Sequence, residues 1–340
     1  VLARHDWRIR RSLSQRGADP LPGDVVVLLD ATWGIDLSRE LRRAKDAGAR
    51  VWTVVQDLIP INHPEFAPEG LPLLLDAWLQ RTIPLSDGLL AISRTVAGDL
   101  RAYMRERLPS GAEPPYIDSF HLGSGFDPPP AGAADHSRLR EAFQRCSDGV
   151  YLVVGTIEPR KDCARILAAF ERLWMEGSDA ALMLFGRAGW RSYELIDRIR
   201  MHPERDRRLF WFEDGSDAEL DFAYRHAVAL IFASHCEGFG LPLVEAMHYG
   251  LPVLAADIAV FREIGGDYPD FFQAGDERAI YDSVRGFASR RSESDATHTP
   301  ESWLSWADSA RMLLAKVTAP RDSTVGERAA STACGSGLPR

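Results

Sequence analysis

Glu237-Gly238-Phe239-Gly240-Leu241-Pro242-Leu243-Val244-Glu245 carries the local pattern that the rest of the chain repeats. Two glutamates bracket a glycine-rich turn and what reads as the first turn of a helix. Just upstream, Ala229-Leu230-Ile231-Phe232-Ala233 is a short continuous apolar run, the pattern of a parallel strand buried on both faces. The segment therefore reads as strand, glycine turn, helix. In an open α/β sheet ligands bind at such places, because loops leaving the carboxyl ends of strands meet helix N-termini with free backbone N–H groups. Gly238 and Gly240 let the main chain approach a phosphate, and a glutamate can accept two hydrogen bonds from vicinal sugar hydroxyls.

The same strand-turn-helix unit repeats on either side. Strands are expected at 151–154, 181–185, 209–212, 229–233, 252–256 and 270–272. Between the first two, Ile166, Leu167, Phe170, Leu173 and Trp174 share one face of an amphipathic helix, with Asp162 expected to cap its start and Gly177 to stop it. Repeated strand-helix-strand units predict a parallel sheet covered on both faces. The chemically rich stretches 155–161, 186–190, 213–216, 234–240 and 257–263 each follow a strand, as loops around one crevice do. The first half is shorter: strands at 25–29, 51–55 and 88–92, a last one at 116–121, and helices at 37–47, 71–85 and 95–108. Pro128-Pro129-Pro130 and Gly132 mark a linker. The predicted organisation is a Rossmann-like domain at 1–122, a linker with a small helix at 123–149 and a second Rossmann-like domain at 150–318. A packed helix at 301–317 precedes a disordered tail at 319–340.

Composition narrows the class. The 340 residues are 45% apolar and 26% charged, which predicts a soluble protein long enough for two domains. A net charge of −9 argues against nucleic acid. No apolar run reaches the roughly 18 residues that span a bilayer, and no signal peptide is expected. Cys146, Cys163, Cys236 and Cys334 have neither metal-type nor redox-type spacing, so a reduced, cytoplasmic setting is expected and a zinc site is not. Arg4, Arg8, Arg10, Arg11 and Arg16, interleaved with Trp7, Ile9 and Leu13, have two readings: a peripheral contact with an anionic membrane, or a solvated helix packed on the protein.

The opening string, with the Glu-Ala-Met-x-x-Gly-x-Pro-Val that runs from Glu245 to Val253, resembles the E-x7-E signature of family 4 retaining glycosyltransferases. The resemblance covers 24–317 and is strongest at 151–267. It implies the GT-B fold, two Rossmann-like domains facing across a cleft, with the acceptor on the N-terminal side and a nucleotide sugar on the C-terminal side. It further implies that Glu245 takes the ribose hydroxyls and Glu237 the transferred sugar, with the backbone around Gly238, Phe239, Gly240 and Leu241 facing phosphate or sugar. Gly155-Thr156-Ile157-Glu158-Pro159-Arg160-Lys161 resembles the family's Gly-x-x-x-Pro-Arg-Lys segment, in which Arg160 and Lys161 would grip the donor phosphates; Thr156 stands where many members carry arginine. Gln56-Asp57-Leu58-Ile59-Pro60 looks like the His-Asp-Leu-Ile-Pro segment of mannosyltransferase-like proteins. Asp57 would then orient an acceptor in the cleft, or simply make a turn before Pro60. Glu213 would border the base, although Asp217 capping the next helix explains that stretch equally well. Ser93 is placed to cap the helix that follows it, beside Arg94.

The activity so implied is hexosyl transfer with retained configuration, without a metal or a resident cofactor. The acceptor hydroxyl attacks on the face from which the diphosphate leaves, and a donor phosphate oxygen takes its proton. Mannose from GDP-mannose is the first donor expectation, and a glycan or lipid-linked glycan the acceptor. An epimerase would need histidines and carboxylates clustered at the cleft; a phosphorylase would need a pyridoxal-phosphate lysine, for which Lys45, Lys161 and Lys316 lack the setting. A further alternative is a nucleotide-sugar-binding module that is inactive alone or part of a larger enzyme. Nothing before Asp24 resembles the family's first glycine-rich loop, so an abbreviated N-terminal domain is expected.

Overall fold

The computed structural model describes residues 19–107, 115–125, 137–293 and 303–319. The basic stretch at 4–16, the three linker prolines and 320–340 lie outside the described residues. Two α/β units follow one another. The first runs β1 (Val25–Leu28), α1 (Ser38–Asp46), β2 (Arg50–Val55), α2 (Ile59–Asn62), α3 (Leu71–Thr82), β3 (Gly88–Ala91), α4 (Arg94–Arg107) and β4 (Tyr116–Ser119). Its four strands are parallel, in the order β1-β2-β3-β4.

The second unit opens with α5 (Ser137–Arg145) and β5 (Val150–Val154). It continues through α6 (Cys163–Met175), β6 (Ala181–Phe185), α7 (Tyr193–Arg200), β7 (Leu209–Phe212), α8 (Asp217–His226), β8 (Ala229–Phe232) and α9 (Leu241–Tyr249). It ends with β9 (Val253–Ala256), α10 (Ala259–Gly265), β10 (Asp270–Phe272) and α11 (Glu277–Glu293). Its six parallel strands run β10-β9-β8-β5-β6-β7. From β5 the chain steps outward to β6 and β7, then returns to the other side of β5 for β8, β9 and β10. The order therefore reverses between β5 and β8, which is where a doubly wound sheet opens a crevice.

The strands form where the apolar runs predict them, because a parallel sheet with helices on both faces hides both sides of each strand. All residues of β6, β7, β8 and β9 are buried, as are the predicted Ile166, Leu167, Phe170, Leu173 and Trp174 of α6. One apolar core runs through both units, from Trp52 and Leu90 in the first sheet to Leu152 and Leu230 in the second. Among the described residues no helix is long and apolar enough to cross a membrane.

Two caps differ from expectation. Asp162 adopts a left-handed backbone, φ 56°, and its side chain makes no capping bond to the backbone of α6. Its carboxylate instead accepts from Arg165 Nη1 at 2.8 Å and lies 3.2 Å from His235 Nε2. At α8 the cap is Ser216, not Asp217: Ser216 Oγ accepts from Glu219 N while the Glu219 carboxylate accepts from Ser216 N. A serine with a glutamate three residues on satisfies two orphan N–H groups reciprocally, which a neighbouring aspartate does not.

The last helix, α12 (Trp306–Thr318), leaves the second unit and docks on the first. Trp303 Nε1 donates to Leu122 O at 2.8 Å, Ser309 Oγ to His121 O at 2.7 Å, and Lys316 pairs with Asp118 at 2.5 Å.

Candidate active site

The loops after β5 and β8 meet at the switch point. Glu237, only 10% exposed, is held there by three donors. Lys161 Nζ, at 2.5 Å, and Ser234 Oγ, at 2.9 Å, share Oε1; Arg160 Nη1 lies 2.6 Å from Oε2. Burial pushes the carboxyl of Glu237 up, but Lys161 and Arg160 outweigh it and hold the group below its ordinary range, so it stays ionised. A carboxylate offers about four acceptor positions, which leaves roughly one for a ligand.

Arg160 and Lys161 have separate surroundings. The Arg160 fork is committed to protein: Nε and Nη2 donate to Glu158 Oε1, and Nη1 to Cys236 O at 2.9 Å as well as to Glu237. It fastens the loop after β8 to the loop after β5. Lys161 Nζ lies 4.9 Å over the Phe232 ring and, unlike Arg160, lines a cavity of about 720 Å³ between the two units.

That cavity brings together Lys161, Glu237, Gly238, Phe239, Gly240 and Leu241 from the second unit with Gln56 and Asp57 from the first. Gly240, with φ 101°, lets the chain turn sharply into α9, whose N-terminus opens on the cavity. Gly238 is where the units touch: a Cβ there would lie 2.6 Å from Gln56 O and 3.1 Å from Asp57 Cβ. Phe239 is 3% exposed and packs beside His121 and Trp303, so its ring belongs to the contact between the units. Asp57 Oδ1 accepts from Ile59 N at 2.9 Å, so the turn before Pro60 and the position in the cleft coexist in one side chain. Burial raises its pKa, against the pull of the Ile59 N–H and Arg160.

Besides Arg160, four predicted residues lie outside the cavity lining. Glu245, on α9, accepts from Tyr224 Oη at 2.7 Å, and burial raises its pKa. Gly155 and Thr156 lie at the end of β5 against the loop after β6. Glu213 is 39% exposed and 3.7 Å from Arg200 Nη2. Sequence reasoning assigned no role to Ser234, Tyr224, His121 or Glu263. Ser234 alone carried a local signal, three residues before Glu237; the partners of the others are distant in the chain. Among the described residues no group of His, Cys, Asp or Glu is arranged to hold a metal ion.

Residues 139–293 match the family described as "Glycosyl transferases group 1". The chain carries a glycosyl transferases group 1 domain. Beyond that domain, the chain is 35% identical over 298 residues to the serotype-specific mannosyltransferase WbdA of Escherichia coli, covering 86% of this chain and 36% of WbdA. It thus spans about a third of that relative's length. To O-antigen chain mannosyltransferase B of Escherichia coli it is 27% identical over 225 residues, covering 64% of this chain and 56% of the relative. Among solved structures, HepE of Anabaena in complex with UDP and glucose superposes with a TM-score of 0.64 at 15% identity, covering 87% of this chain and 78% of HepE. Sucrose-phosphate synthase of Thermosynechococcus elongatus gives 0.64 at 16%, covering 91% and 75%. The glycosyl transferases group 1 domain and the unit before it form a GT-B fold of two parallel sheets facing across a cleft.

Proposed function

We propose that this chain is the catalytic part of a retaining mannosyltransferase, moving mannose from a nucleoside diphosphate sugar, GDP-mannose by first choice, to a hydroxyl of a glycan or lipid-linked glycan. One observation carries the reading. At the strand-order reversal, an ionised Glu237 is clamped between Lys161 and Arg160 at the mouth of α9, facing Asp57 across an interdomain cavity. The relatives named mannosyltransferases support the sugar.

A departing diphosphate gains negative charge, and Lys161 is the ammonium group that faces the cavity. It has three N–H donors, one of them on Glu237, so two remain for phosphate oxygens. The α9 N-terminus adds backbone N–H groups with positive partial charge. Such fixed donors stabilise a leaving group without reorganising as charge develops. Glu237, kept ionised, accepts from a hydroxyl of the transferred sugar and is no proton donor. Glu245, held by Tyr224, takes the ribose. Asp57 orients the acceptor hydroxyl, and a donor phosphate oxygen receives its proton. Metal-independent transfer, and any peripheral membrane contact through 4–16, belong to the same proposal.

The test is a thermal-shift panel of GDP-, UDP- and ADP-sugars followed by transfer assays on wild type and Glu237→Ala. A ligand that binds the folded state alone raises its melting temperature. Transfer from GDP-mannose that falls by two orders of magnitude or more in Glu237→Ala is the expected result; a preference for another sugar nucleotide overturns the donor assignment. Binding without turnover supports a second reading, a donor-binding module of a larger enzyme. That reading has one observation behind it, the 36% of WbdA that the chain spans.

A further inference from the structure

Outside the cavity, one carboxylate joins the two units. Glu263 belongs to α10 of the second unit, and its side chain is 7% exposed. Its Oε1 accepts from Arg94 N at 2.7 Å and lies 3.1 Å from His121 Nε2; its Oε2 accepts from Thr95 N and Thr95 Oγ1, both at 2.7 Å. Arg94 and Thr95 open α4 of the first unit, and His121 follows β4. A glutamate from one unit therefore caps a helix of the other. The next N–H of α4, that of Val96, is taken by Ser93 Oγ at 3.1 Å. The Ser93 hydroxyl in turn donates to Gly238 O at 2.8 Å, inside the glycine-rich loop. The first turn of α4 is thus tied at two points to the unit that carries Glu237.

We infer that Glu263 is a positioning residue of the cleft, holding the wall that carries Asp57 at a fixed separation from the wall that carries Lys161 and Glu237. The geometry makes the coupling direct. Glu263 anchors the start of α4, Ser93 at that start grips Gly238, and Gly238 lies in contact with Gln56 and Asp57. His121 extends the anchor to the crossing between the units, stacking on Trp303 at 5.6 Å between ring centres and packing beside Phe239 at 5.9 Å. The carboxylate is favoured in its ionised form at this place: burial opposes the charge, but His121, Thr95 and two helix N–H groups outweigh it and bring its pKa to about 2.

The inference rests on the transferase reading for its kinetic consequence and stands apart from it for its structural one. Two measurements on the full chain separate them. In hydrogen exchange, Glu263→Ala is expected to raise uptake in peptides covering 93–97 and 238–241, with β5 and α6 unchanged. Thr95→Val, which removes one of the four hydrogen bonds, gives the same pattern more weakly. In kinetics, Glu263→Ala is expected to lower kcat by about tenfold to 100-fold, the scale of a misplacement near 1 Å, with donor KM within about twofold. Glu263→Gln, which keeps one acceptor oxygen, recovers part of that loss. Exchange rising uniformly across both sheets would make Glu263 an ordinary stabilising residue and overturn the inference. So would unchanged uptake at 93–97, or a kinetic loss confined to donor KM. If wild type transfers no sugar, the proposed function falls, and the exchange pattern still decides the anchor.

Discussion

At the scale of single residues, the site is a problem of charge in a partly dry place. Glu237 keeps its negative charge because an ammonium and a guanidinium both lie within 3 Å of it. Removing Lys161 leaves the carboxylate with Arg160 and Ser234 and strips the cavity of its cation. Lys161→Ala is therefore expected to lower sugar transfer by about 10²–10³-fold, measured as kcat on the best donor. Asp57 is the opposite case, a carboxyl whose burial favours the neutral form. A group with a raised folded pKa is least costly below its ordinary value, and its cost grows as pH rises through the folded one. Asp57→Asn keeps an acceptor for Ile59 N and removes that charge. It should raise the thermal midpoint at pH 7 more than at pH 4, while acceptor turnover falls; equal shifts at both pH values would contradict the assignment. The runs that hold Glu237 and Lys161 could be picked out in the sequence because each is short and follows a strand, and the structure brings those two side chains together while Glu245 lies outside the cavity lining. Tyr224 and Glu263 could not be picked out, since a tyrosine 21 residues before Glu245 and a glutamate 169 residues after Arg94 leave no spacing to read.

At the scale of elements, the strands were the easiest to read. Buried parallel strands are continuous apolar runs, and 229–233 resolves to Ala229–Phe232 with its neighbours displaced by no more than a residue or two. Caps were harder, because Asp162 and Asp217 both have the right residue type at the right place. Hydrogen-bond geometry decided between candidates: Asp162 turned to Arg165 and His235, and Ser216 took the place expected for Asp217. The glycine-rich turn is the element on which the cleft depends most. Gly238→Ala introduces a Cβ 2.6 Å from Gln56 O, so the loop after β8 or the loop after β2 must shift. A displacement near 1 Å at reacting groups is expected to cost about 100-fold in kcat. The same variant should melt within a few degrees of wild type, because both sheets are untouched; a collapse of the fold would show that the contact is part of the core.

At the scale of the molecule, acid stability reports on the join between units. Glu263 has a folded pKa of about 2 against an ordinary 4.5. With the folded value depressed, its contribution is complete above about pH 5 and disappears as pH falls from 4.5 toward 2. The difference in urea midpoint between wild type and Glu263→Gln should therefore be large at pH 6 and shrink by pH 3. A difference that is constant with pH would place the effect in packing instead. The two parallel sheets were legible from the repeated strand-helix pattern. The return of α12 to the first unit was not, because an amphipathic helix carries no mark of which neighbour it will choose. Trp303, Ser309 and Lys316 reveal the choice only through partners nearly 200 residues earlier.

That return changes how the molecule can move. The chain crosses between the units twice, once after β4 and again before α12, so the two halves hang together like a door on two pins. Two pins keep the halves beside each other even where the contacts across the cleft loosen. A protease that cuts one crossing leaves the door on its frame, and only a second cut at the other lets it fall.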